Sequence, residues 1–102
     1  SMLRAMTHAI QASKLRWRLY DQDVKPLSFE RAFYLATMGG GAFFGNVGSF
    51  LDGYEFDAVV LDDASLDHPQ ELSVRARLER AAYLADDRNL TAKFVAGQKI
   101  LG

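Results

Sequence analysis

Ala58-Val59-Val60-Leu61 is apolar without a break and follows shortly after Asp52-Gly53, a dipeptide suited to a tight turn. Both turn residues tolerate positive φ at little cost, so the pattern predicts two strands, Val47 to Leu51 and Phe56 to Leu61, joined at Asp52-Gly53. An unbroken aliphatic strand, with no polar alternation, is expected to be covered on both faces. A chain of 102 residues has little with which to cover it. The strand therefore points to a larger assembly or a longer polypeptide.

Three helices are expected around this strand pair. Over residues 2 to about 20, Leu3, Met6, Ile10, Ser13 and Trp17 recur at helical spacing, with Arg4, Gln11, Lys14 and Arg18 largely on the other side. Pro26 stops the connection from Asp21 to Leu27 and disfavours helix at Lys25. Ser28 reads as an N-cap with Glu30 in the first turn. That helix is expected to run to Thr37 or Met38, turning Phe29, Ala32, Phe33, Ala36 and Leu35 inward, and to end or break at Gly39-Gly40-Gly41. Ala42 to Gly45 can add one more turn. The glycine run lacks a preceding strand and a following Lys-Ser/Thr, so it is not a phosphate loop, and a close backbone crossing explains it better. Ser73 to Ala85 forms the third helix, with Val74, Leu78, Ala81, Ala82 and Ala85 as its apolar stripe and Arg75–Glu79 as an i,i+4 pair. Residues 91 to 101 read as a hairpin turning at Ala96-Gly97-Gln98.

Chemistry-bearing residues are sparse. His8 and His68 are 60 positions apart, and each reads as an ordinary surface or boundary histidine. Asp62-Asp63 with Asp67 lacks the spacing and glycine of a calcium loop, so a capping or solvating role is expected. Asp86-Asp87-Arg88-Asn89 is the densest polar cluster. It fits best a helix exit with local ion pairs; the competing reading makes Asp87, Arg88 and Asn89 candidates for lying near a substrate pocket or a subunit interface. No Gly-x-Ser-x-Gly elbow is present, and adjacent carboxylates on a strand would face opposite ways, so no catalytic residue is assigned. A net charge of −1 and a pI near 6.0 give no general attraction to nucleic acid or an anionic membrane. No apolar run approaches the roughly 18 residues of a membrane span. The chain has no cysteine, and Met2-Leu3 is followed at once by Arg4, unlike a signal peptide. A cytoplasmic location is the expectation.

Several segments resemble the guanine deaminase branch of the metal-dependent amidohydrolases. They are Phe29-Glu30-Arg31-Ala32-Phe33-Tyr34-Leu35-Ala36-Thr37, Gly39-Gly40-Gly41-Ala42-Phe43-Phe44-Gly45, Gly53-Tyr54-Glu55-Phe56-Asp57-Ala58 and Tyr83-Leu84-Ala85-Asp86-Asp87-Arg88-Asn89. The likeness extends from about Leu3 to Ile100. Phe56-Asp57 stands where the wider family has Ala-Asp, which favours the guanine deaminase branch.

The resemblance implies an α+β fold. Residues 1–45 would be the last helices of a (β/α)₈ barrel, and residues 46–102 part of a small composite β-sandwich domain with a bridging helix at about 73–85. It implies a zinc-dependent or other divalent-metal hydrolase acting on a purine C–N bond, guanine to xanthine and ammonia. The family's His-x-His pair, two later histidines and final aspartate cannot be placed here. The match sets Met2 a few residues after that aspartate, so the chain is expected to be a C-terminal segment that binds no metal and is inactive alone. Its expected partners are the rest of its own barrel and further copies of itself. Two alternatives stay open: another aminohydrolase or chlorohydrolase of the superfamily, and a stand-alone assembly module binding protein through its β hairpins.

Overall fold

The computed structural model describes residues 1–66 and 71–102, so the readings made for His68, Asp67 and Pro69 lie outside the described residues. Helix α1 (Met2–Leu19) forms as its spacing predicts, with Met6 and Ile10 buried and Leu3 half-buried against them. Trp17, read as part of the same stripe, is instead 39% exposed, because only the first half of α1 meets other elements. Ser13 ties that helix to the following connection: its Oγ donates to the Ile10 carbonyl and accepts from the Leu27 amide at 2.8 Å.

Ser28 caps α2 (Phe29–Tyr34) by accepting from the Arg31 amide. Phe29 and Ala32 are buried, whereas Phe33 and Leu35 are largely exposed, so the inward stripe is narrower than the periodicity indicates. The triple glycine does not end the helix. The chain continues as a π-helical stretch at Leu35–Gly39 and a 3₁₀ turn at Ala42–Phe44. Within that stretch Thr37 donates its hydroxyl to the Phe33 carbonyl at 2.7 Å. The close crossing expected at the glycines is present: a Cβ on Gly41 would lie 2.6 Å from the Val47 carbonyl oxygen.

The strand expected at Val47 to Leu51 does not form. That segment folds back on the π-helical stretch, with Gly48 at φ +92 and so close to it that a Cβ would lie 2.3 Å from the Thr37 carbonyl oxygen, while the Glu55 amide donates to Asn46 O. Both interactions hold the backbone away from a ladder. Asp52-Gly53 still makes a turn, closed by Tyr54 N–H to Leu51 O at 3.1 Å, but this turn joins no hairpin.

The second predicted strand is confirmed in its apolar core, as β1 (Ala58–Leu61). Its partner is β2 (Leu90–Val95), antiparallel with Ala58 opposite Phe94, and β2 pairs in turn with β3 (Gln98–Leu101). The sheet order is β1-β2-β3. The closing hairpin turns at Ala96-Gly97, both with positive φ, the geometry that matches strand twist in a two-residue loop. Asp57 accepts from the Ala96 amide and Phe56 O from the Gly97 amide, which clasps this turn to the start of β1. Phe94 stacks edge-on against Phe56, which meets Phe50, so one face of the sheet carries an aromatic cluster. β1 is an edge strand, and Val59 is 55% exposed; the described residues do not give it the expected cover on both faces.

Helix α3 (Val74–Leu84) is capped by Ser73, which accepts from the Ala76 amide. It packs on α1, contributing buried Ala81 and Ala82 and half-buried Leu78; Val74, at the start of the predicted stripe, is exposed. Arg75 binds both Glu79 and Glu30 and lies over the Phe29 ring, joining α3 to α2. The core is small: Met6, Ile10, Phe29, Ala32 and Ala82 form one buried cluster. No helix among the described residues is long and apolar enough to cross a membrane.

Candidate functional site

After α3 the chain makes a short 3₁₀ turn, Asp87–Asn89, before entering β2. Asp86 caps it. Its carboxylate accepts from the Arg88 amide at 2.9 Å and pairs with the Arg88 guanidinium at 2.8 Å, while its own amide donates to Asn89 Oδ1 at 3.0 Å. Asp87 and Arg88 stand exposed, and Asn89 is buried.

Asn89 reaches across to the loop that leaves β1. Its Nδ2 donates to the Asp62 carbonyl at 2.9 Å and to Ser65 Oγ at 3.1 Å, and its own carbonyl accepts from the Asp62 amide at 2.8 Å. Asp62 closes that loop locally by accepting from the Ala64 amide, and Asp63 holds the loop to α3 through a two-point pair with Arg77. The two adjacent aspartates therefore cap and tether, in keeping with the role read for them. An open cavity of about 550 Å³ lies at this junction, lined by Asp62, Ser65, Leu84, Asp86, Arg88 and Asn89. Asp87, grouped with its neighbours by the sequence, does not line it.

Ser65 was not legible as a member of this cluster. It lies 24 residues from Asn89, and a lone serine in a polar loop carries no periodic or motif signal. Asp62 was visible only as half of an acidic pair. His8 is exposed on α1, far in sequence from the cluster.

Two solvent-exposed pairs, Asp86–Arg88 and Glu30–Arg75, favour the ionised carboxylates. Hydrogen bonds from Arg88 hold the Asp86 carboxyl below its ordinary range, and Arg75 does the same for Glu30. Each acid thus releases its proton at lower pH folded than unfolded. The stability they confer is present above the ordinary carboxylate range near about pH 4 and is lost as pH falls through the lower folded values. Thermal unfolding followed from neutral pH downward should show this loss, and Asp86→Asn combined with Glu30→Gln should flatten it. An unchanged acid limb in the double variant would show that these pairs are too well solvated to matter.

Among the described residues, no three His, Cys, Asp or Glu side chains lie close enough to hold a metal ion. The cluster can position the β1 exit against the β2 entry and present a mixed-charge rim to the cavity.

A profile described as the Amidohydrolase family matches residues 1–100. The chain belongs to the amidohydrolase family. Within that family it is 37% identical, over 98% of its length, to a guanine deaminase of Dictyostelium discoideum, and 30% identical over 99% to a guanine deaminase of Homo sapiens. A crystal structure of guanine deaminase from C. acetobutylicum, with guanine bound in its active site, matches 99% of the chain with a TM-score of 0.91 at 44% identity. E. coli guanine deaminase matches 98% with a TM-score of 0.79 at 30% identity. The resemblance to the guanine deaminase branch thus holds across the chain. The chain spans about a quarter of the length of these relatives: 24% of either curated sequence.

Proposed function

We propose that this chain is the C-terminal, non-catalytic scaffold of a zinc-dependent guanine deaminase-like hydrolase, which converts guanine to xanthine and ammonia. The observation that carries the reading is the TM-score of 0.91 at 44% identity to a guanine deaminase that holds guanine, over 99% of this chain but 24% of that one. On this reading residues 1–45 are the last helices of a (β/α)₈ barrel. Residues 46–102 belong to the small composite β domain. The groups that hold the metal and activate water come from other parts of the polypeptide, and Asn89 serves the junction between the β1 exit and the β2 entry. The apolar faces support the same view: a three-stranded sheet with exposed valines needs a second layer to be stable.

The test is ammonia release from guanine, assayed on a polypeptide extended upstream through the whole reading frame, with and without added zinc. Zinc-dependent turnover by the longer polypeptide and none by the 102-residue chain is the expected result. Turnover by the short chain alone would overturn the scaffold reading, and an extended enzyme that acts on another aminohydrolase or chlorohydrolase substrate would overturn the assignment to guanine.

The isolated chain should also self-associate. β1 exposes an aliphatic edge, and the groove between α1 and α2, lined by Met2, Ala5, Ala9, Leu27 and Leu35, is open. Light scattering at tens of micromolar is expected to give a mass above that of one chain. A well-folded monomer at that concentration would count against homo-oligomerisation through these surfaces.

A further inference from the structure

We draw no further inference here: the strongest candidate, the exposed last two turns of α1, where Lys14, Arg16 and Arg18 stand among Leu15, Trp17 and Leu19, carries nothing because nothing in the structure shows what covers it.

Discussion

Asn89→Ala is expected to lower the free energy of unfolding by roughly 2 kcal/mol, the scale of leaving part-buried polar groups without partners. The side chain removed is the donor to Asp62 O and Ser65 Oγ and the acceptor for the Asp86 amide. Ser65 can turn its hydroxyl to water, but the Asp62 carbonyl and the Asp86 amide are backbone groups fixed by the turn. Asn89→Asp separates the two halves of the effect. It keeps an acceptor for the Asp86 amide, yet sets a carboxylate against the Asp62 carbonyl, so it should recover little. Asp87→Asn on the same turn is exposed and should change stability by less than about 0.5 kcal/mol. Urea unfolding followed by circular dichroism measures all three. Equal losses for Asn89→Ala and Asp87→Asn would show that Asn89 does not join the two loops.

Why this residue was only half legible follows from the kind of information each contact needs. The turn itself can be read locally: an aspartate three residues before an asparagine, at a helix exit, is a capping pattern. The partners across the junction cannot, because Asp62 and Ser65 lie 27 and 24 residues away and meet Asn89 only once β1 and β2 pair. The same division runs through the fold. Helix α1, the caps at Ser28 and Ser73, and the closing hairpin depend on neighbours within a few positions, and the structure has them where the spacing put them. The misplaced strand at Val47 to Leu51 is the opposite case. Its residues favour a strand, but a tertiary crossing at Gly48 outweighs that local preference. Leu35 and Phe33 show a subtler failure. Their period fits an α-helix, but the small core that α2 reaches takes only Phe29 and Ala32, which leaves the flanking positions at the surface. The barrel and composite-sandwich assignment came from resemblance to a family, and no periodicity within 102 residues encodes it.

Gly48→Ala is expected to cost roughly 3 kcal/mol, from a left-handed backbone penalty of about 1–2 kcal/mol and a similar overpacking cost. Gly48 has φ +92, and a Cβ there would lie 2.3 Å from the Thr37 carbonyl oxygen, with no flexible side-chain end to move aside. Relief requires the 46–51 segment to lift from the π-helical stretch, which also loosens the Glu55 amide from Asn46 O. Gly53→Ala is the natural control. Its φ of +87 carries the same backbone penalty, but nothing lies within 4 Å of the new methyl group. It should therefore cost only about 1–2 kcal/mol. The difference between the two variants isolates the crossing. Equal costs would mean that the 46–51 segment does not press on Thr37, and the local preference of Val47 to Leu51 for a strand would then have nothing to oppose it. A larger loss at Gly48, with the far-ultraviolet spectrum retained up to the transition, would show that the crossing, rather than either element alone, keeps this segment out of the sheet.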